Sequence, residues 1–339
     1  MKALVTGATG QDGAYLIKNL LNRGHEVIAL VRRSSHNDFA RLKYLDVKPS
    51  DFKVEYYDMC EPFNLERVLQ KTQADQFYNL AAQSFVGSSF DLPLYTFDVN
   101  ATGVCRILET LRQVNPGIKF YQASTSEMFG RVQEVPQSEM TPFYPRSPYG
   151  VAKLAAYWMS VNYRESYNMF VCNGILFNHE SPLRGIEFVT KKIINHMYQV
   201  KKGERDTIRL GNLDAKRDWG HAEDYVEAMY LMMQHHTPDD YVIATGNTYT
   251  IREFVESAGR FFNYKIEWQG EGVNSVGIDS LTGKKIVEVD PQFFRPAEVD
   301  LLIGDSSKAR NVLGWQPKHD LDSLIGDMVA IEGSDKYHI

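Results

Sequence analysis

The run Gly7-Ala8-Thr9-Gly10-Gln11-Asp12-Gly13 follows directly on the short apolar segment Lys2 to Thr6 and opens the stretch Asp12 to Arg23. In that stretch Tyr15, Leu16, Leu20 and Leu21 recur at helical spacing, and Gly24 supplies a stop. Strand, glycine turn and helix in this order restrict the possible folds more than any other feature. Glycines let the backbone turn tightly and approach a pyrophosphate, while unpaired N–H groups and the positive end of the helix dipole attract its charge. Gly7, Thr9, Gly10, Gln11, Asp12 and Gly13 are therefore candidate dinucleotide-binding positions. The alternative is a tight turn with no ligand; because the chain holds 24 glycines, it is the flanking strand and helix that decide for the dinucleotide.

The same alternation continues through the first half. Strands are expected at Glu26 to Val31, Lys53 to Tyr57, Gln76 to Ala81, Lys119 to Ala123 and Phe170 to Leu176. They are mostly apolar without clean alternation, as in a parallel sheet covered on both faces. Helices are expected at Thr96 to Val114 and Pro148 to Tyr167. The second half is less regular. It offers helices near Phe188 to Lys202, Ala222 to His235 and from Ile251, strands near Thr207 to Leu210 and Tyr241 to Thr245, and a glycine-rich loop from Gly270 to Lys285. The fold class is α/β: a Rossmann-type doubly wound parallel sheet with a smaller, mostly C-terminal substrate-binding domain. With 339 residues, at roughly 150 per domain, about two domains are expected. They are interleaved, with residues 1–176 plus about 212–246 forming the dinucleotide-binding part and about 177–211 and 247–339 the other.

Composition excludes several classes. Lys+Arg 37 against Asp+Glu 43 leaves a net charge of −6, which argues against nucleic acid or an anionic membrane as partner. No apolar run approaches the roughly 18 residues of a membrane span. Cys60, Cys105 and Cys172 are too few and scattered for a disulfide framework or a metal site, so no metal is expected and the chain reads as cytoplasmic.

The second strand runs into Arg32-Arg33-Ser34-Ser35, where an NAD-preferring fold places an acidic residue on the ribose 2′-hydroxyl; arginine there favours the 2′-phosphate of NADP. Asp58 is a candidate for the adenine amino group or, equally, a helix cap. Leu80, Ala81, Ala82, Gln83 and Ser84 end the fourth strand, where they can line the cofactor. Tyr149 and Lys153 lie four apart, on one face of a helix. Tyr44/Lys48 and Tyr198/Lys202 share that spacing and read as exposed helix pairs. Tyr149 differs in following Ser124-Thr125-Ser126-Glu127, just past the C-terminal end of the fifth strand, where open α/β sheets place ligands. Its phenol, near ~10 when unperturbed, is lowered by Lys153 and an oxidised nicotinamide, and can then take a hydroxyl proton as hydride leaves the same carbon. Thr125 can hydrogen-bond the reacting oxygen. Glu127 is a second acid/base that a plain dehydrogenase does not need.

Together these segments resemble the extended short-chain dehydrogenase/reductase family, and within it the GDP-mannose 4,6-dehydratases. The resemblance spans nearly the whole chain, through Tyr78 to Ser84, Gln122 to Gly130, Thr141 to Tyr149, Leu176 to Pro182, Leu210 to Gly220 and Arg295 to Asp300. Epimerases of the family usually carry a serine pair without a glutamate at the position of Glu127. The resemblance implies that Tyr149 is the base for C4 oxidation, Lys153 its electrostatic partner and a ribose contact, Glu127 the C5 base and Thr125 a polar assistant. The product is then GDP-4-keto-6-deoxymannose and water. It also implies NADP contacts from Gly7 to Gly13, Arg32, Asp58, Met59, Leu80 to Ser84 and Tyr95, together with Lys153, His179 and Arg184. Ser84, Asn178, Lys192, Arg217, Arg295 and Glu298 match GDP-sugar positions; arginines suit a diphosphate because they bind it bidentately.

Two departures stand out. Many relatives read Ser-Pro-Arg-Arg-Gly where this chain has Ser181-Pro182-Leu183-Arg184-Gly185, and His36-Asn37-Asp38 replaces a serine-rich continuation in a loop that reaches a neighbouring subunit in the family. A homo-oligomer, dimer or tetramer, is expected. Two other readings use the same scaffold: a nucleotide-sugar epimerase or 4-keto reductase, against which Glu127 argues, and a non-catalytic NADP-sensing protein, against which the intact Tyr149, Lys153, Thr125 and Glu127 argue.

Overall fold

The computed structural model describes residues 1–34, 39–294, 297 and 299–334. A seven-stranded sheet forms its centre. It comprises β1 (Lys2–Thr6), β2 (Glu26–Val31), β3 (Lys53–Tyr56), β4 (Gln76–Asn79), β5 (Lys119–Thr125), β6 (Val171–Leu176) and, from later in the chain, β11 (Asp240–Ile243). All neighbours pair in parallel, in the order β11-β6-β5-β4-β1-β2-β3. The chain winds outward from β1 to β3 and then returns to β4 on the other side of β1, so the direction reverses at the carboxyl ends of β1 and β4.

Residues of β1 show why both strand faces are apolar. Ala3 and Val5 pack into one core with Leu16 and Leu20 of α1 (Gln11–Asn22), whereas Leu4 faces a second core with Leu65 and Leu69 of α3 (Asn64–Thr72). Successive side chains point to opposite faces, so a buried strand needs apolar residues at every position. Each fully buried aliphatic side chain contributes about 1.5–3 kcal/mol. The short α2 (Ala40–Tyr44) lies between β2 and β3.

The expected helix at Thr96 to Val114 is interrupted. After α4 (Ser88–Asp91) and α5 (Pro93–Phe97) the backbone makes a π turn over Asp98–Thr102 before α6 (Gly103–Val114). The wide turn carries Asn100, whose amide holds both backbone groups of Gln83, with Oδ1 accepting from its N–H at 2.8 Å and Nδ2 donating to its carbonyl at 2.9 Å. Local insertions of this kind recur at functional sites. β4 also ends earlier than its sequence suggests, because Thr6 Oγ1 accepts from the N–H groups of Leu80 and Ala81 and replaces the strand ladder.

After α7 (Pro148–Tyr167) and β6, the chain builds a second layer. β7 (Asn178–Glu180) pairs with β10 (Trp219–His221), and β9 (Lys216–Arg217) with β12 (Tyr249–Thr250). β8 (Ile208–Leu210) joins β15 (Lys285–Val289), β14 (Val276–Asp279) and β13 (Ile266–Gln269) in a four-stranded sheet. Ile193 and Met197 of α8 (Val189–Lys202), Phe254 of α10 (Ile251–Phe261) and Leu324 of α12 (Leu321–Ala330) cover it. Between these, α9 (Ala222–Gln234) packs on α1, and α11 (Ser307–Leu313) against β11.

The segment Gly270 to Lys285 is therefore not simply a loop: β14 lies inside it and Lys285 opens β15. Four residues with a central glycine are too short to display alternation. Their pairing with β13 and β15 supplies what the local sequence lacks. Gly277 packs closely, since a Cβ there would lie 3.1 Å from the Trp268 ring and push it back by a few tenths of an ångström.

Candidate active site

The carboxyl ends of β1, β4, β5 and β6 open into a cleft of about 600 Å³ whose far wall comes from the second layer. The glycine turn forms its floor. Gly7 has φ +63°, and a Cβ there would lie 2.9 Å from the Leu80 backbone; a Cβ at Gly13 would lie 2.2 Å from the Gly7 carbonyl oxygen. Only glycine permits this approach of helix to strand. The first-turn N–H groups of α1 have no intrahelical acceptors and carry the positive helix end, so the turn is a cradle for a phosphate. Arg41 fixes its rim, donating to the carbonyls of Thr9 (3.1 Å) and Leu183 (2.9 Å). Leu183 itself is fully buried in the core with Tyr121 and Tyr225, so at this departure the backbone carries a polar contact and the side chain packs.

Arg32, exposed at the end of β2, donates to the Tyr95 hydroxyl at 3.3 Å, which brings together two candidates 63 residues apart. Asp58 accepts from the Cys60 N–H at 3.0 Å and so caps a turn. Met59 is buried against Gly103. Leu80, Ala82 and Ser84 line the cleft, while Ala81 and Gln83 are held behind it by Thr6 and Asn100. His36, Asn37, Asp38, Arg295 and Glu298 lie outside the described residues.

Thr125 ends β5 and caps the following turn, accepting from the Glu127 N–H at 3.2 Å. Ser147 caps α7 by accepting from Gly150 N–H at 3.0 Å, with Pro148 at the first helical position. The two turns are in contact, since a Cβ on Gly150 would lie 2.8 Å from the Glu127 carbonyl oxygen. This packing puts Thr125, Glu127, Tyr149 and Lys153 on one wall, each largely buried. Burial pushes the Tyr149 phenol above its ordinary value, and the nearby Glu127 adds to this, while a hydrogen bond with Thr125 and the Arg184 guanidinium oppose it. Lys153 donates to the Ala123 carbonyl at 2.9 Å; burial lowers its ammonium to about 8, against the pull of Asp12. By contrast, Lys202 lies on an exposed helix face over the Tyr198 ring, far from such a constellation.

Opposite stand the residues of β7 and the loop after it. His179 contacts Asp12, and Arg184 Nε lies 2.8 Å from Glu180 Oε2, a close ion pair without hydrogen-bond alignment. Removing one partner of such a buried pair costs about 3–5 kcal/mol. The guanidinium also lies 3.4 Å from the centroid of Phe188, and Lys192 Nζ lies 3.4 Å from that of Phe293. Asn178 Oδ1 is buried at the cleft wall with no protein partner, an acceptor left for a ligand. Arg217 is buried in the wall of the same cleft, donating to its neighbour Lys216's carbonyl at 3.0 Å. Phe188, Phe293 and Asn100 have no sequence motif of their own; only their contacts with Arg184, Lys192 and Gln83 mark them, while Glu180 lies inside the Leu176 to Pro182 segment and gains a role only from its pair with Arg184.

A family model described as GDP-mannose 4,6 dehydratase matches residues 4–328. The chain belongs to the GDP-mannose 4,6-dehydratase family. It is 50% identical over 334 residues to the human protein of that name, covering 96% of this chain and 90% of that one. The protein from Sinorhizobium fredii is 51% identical over 333 residues, with 96% and 95% covered. Among solved structures, the UDP-glucose 4-epimerase of Thermus thermophilus in complex with NAD superposes with a TM-score of 0.81 at 24% identity, covering 98% of this chain and all of that one. RMD from Pseudomonas aeruginosa complexed with NADPH gives 0.75 at 21%, with 97% and 98% covered. These structures share the fold with the family member described here. Among the described residues no helix is long and apolar enough to cross a membrane.

Proposed function

We propose that the chain is an NADP-dependent GDP-mannose 4,6-dehydratase, converting GDP-mannose to GDP-4-keto-6-deoxymannose and water. The observation that carries this reading is the shared wall of Tyr149 and Glu127, two acid/base groups on either side of Thr125 in one cleft of a chain from this family. The residues suit the cofactor: Gly7 and Gly13 let the turn pack against the β4 end and the start of α1, which leaves the first-turn N–H groups of α1 for a pyrophosphate, and Arg32 offers a cation where the 2′-phosphate is expected. NADP, when bound, supplies the acceptor for hydride from C4 and its donor back to C6.

Tyr149 takes the C4 hydroxyl proton, and Thr125 hydrogen-bonds the same oxygen. The C5 proton is then α to a ketone and acidic enough for Glu127 to remove. Glu127 passes it to the departing C6 hydroxyl, which leaves as water. The hydride taken from C4 returns to C6 and the proton that Tyr149 accepted is matched by the one C5 regains, so no net oxidation results. Asn178, Lys192 and Arg217 hold the GDP-sugar, with Arg217 suited to the diphosphate. A homo-oligomer is supported by Leu94 and Phe97 of α5 and Trp158 of α7, which present exposed apolar surface on helices that pack together. Three free thiols fit a reducing, cytoplasmic setting.

Incubation with GDP-mannose and mass spectrometry of the nucleotide sugar tests the proposal. Loss of one water is expected; unchanged GDP-mannose from protein with NADP bound contradicts it.

A further inference from the structure

Both ring nitrogens of His179 face acceptors. Nδ1 lies 2.7 Å from the Phe177 carbonyl oxygen, and Nε2 lies 2.8 Å from Asp12 Oδ2. A peptide carbonyl has no proton to give, so Nδ1 carries one; a carboxylate at Nε2 requires a second. Neutral imidazole satisfies only one of these partners. We infer that His179 is a standing imidazolium, and that Asp12, its counter-charge, is a positioning residue that sets the protonation of Lys153 and Tyr149 and thereby the pH range of C4 oxidation. This rests on the roles proposed above for Tyr149 and Lys153.

The surroundings favour both charges. Asp12 sits in the first turn of α1, where the helix dipole stabilises an anion, and its Oδ1 accepts from Gln11 Nε2 at 3.0 Å. Burial alone would raise its carboxyl, but His179, Gln11 and Arg184 outweigh burial and hold it at about 2. For His179, burial opposes the charge, and Asp12 with the Phe177 carbonyl outweighs it, so the imidazolium is favoured. The Tyr225 ring stacks on the imidazole at 4.4 Å, offering a π face to a cation.

Charged and titratable groups face this pair and its neighbours from several elements. From α7 come Tyr149 and Lys153, from the turn after β5 Glu127, which opposes the Tyr149 phenolate more strongly than Asp12 does, from α9 Tyr225, from β5 Tyr121 and from β10 His221. Arg184 and Glu180 neutralise one another beside the pair. Asp12 is thus the carboxylate that opposes proton loss from Lys153, and it disfavours the Tyr149 phenolate.

Two substitutions give opposite signs. In Asp12→Asn the carboxylate goes and His179 gives up its second proton with it, so the net charge is unchanged and only the end of the dipole nearer Lys153 is lost; both limbs of the pH profile for C4 oxidation move to lower pH, by less than His179→Gln moves them in the other direction. In His179→Gln the amide still donates to Asp12 but leaves its charge unneutralised, and the profile moves to higher pH. A merely structural role slows both variants without displacing either profile, which overturns the inference. An independent readout uses nucleotide-free protein. Imidazole ¹⁵N NMR, with His179 assigned by its loss in His179→Gln, is expected to show both nitrogens protonated through the neutral range, and one only in Asp12→Asn. A neutral His179 in the unsubstituted protein overturns the inference whatever the substrate. Failure of GDP-mannose to react, with the imidazolium present, overturns the function instead.

Discussion

Lys153 Nζ donates to the Ala123 carbonyl at 2.9 Å and lies 5.8 Å from the centroid of the Tyr149 ring. The ammonium is therefore anchored to β5 and acts on the phenol through space. Burial acts against both charges, lowering Lys153 to about 8 and raising Tyr149. A cation favours the phenolate and its loss disfavours it, so Lys153→Met moves the acid limb of the pH–rate profile for C4 oxidation upward by roughly one unit or more. Single-turnover NADPH formation across pH measures this; a limb at the same pH as in the unsubstituted protein contradicts the coupling.

Glu127 separates elimination from oxidation. Glu127→Gln keeps the shape of the side chain and removes its basicity, so exchange of the C5 proton with solvent stops while C4 oxidation persists. Overall dehydration falls by ~10²–10⁴-fold, the usual contribution of one acid/base group. Deuterium incorporation at C5 in heavy water is the direct readout, and normal incorporation in the variant assigns the proton elsewhere.

Arg32 bears on cofactor choice. Its guanidinium is exposed and already reaches Tyr95, so it can turn toward a 2′-phosphate without repacking the core. Arg32→Asn loses a charge-assisted contact of about 1.5–3 kcal/mol, which is roughly 10–100-fold in the dissociation constant for NADP. Affinity for NAD stays unchanged. Titration of nucleotide-free protein by fluorescence distinguishes the two, and an equal loss for both nucleotides contradicts a 2′-phosphate contact.

Features legible in the sequence are those encoded locally. Strand β1, the glycine turn and α1 are contiguous, and Tyr149 and Lys153 share one helix face, so spacing alone brings them together. Less legible is what the fold joins from afar. Asp12 meets His179 across 167 residues, and Asn100 grips Gln83 only because a π turn presents it there. Phe188 and Phe293 read as ordinary apolar residues until they are seen under Arg184 and Lys192. The strand β14 is hidden by its length and by Gly277, which packs against Trp268 of the neighbouring strand.

The central claim is that one active site borrows hydride from C4 and returns it to C6 of the same sugar. GDP-mannose carrying deuterium at C4, incubated with the protein in ordinary water and analysed by NMR, tests it directly. The account predicts GDP-4-keto-6-deoxymannose with the deuterium at C6 and a solvent proton at C5. A dehydrated product without deuterium at C6 contradicts internal hydride return.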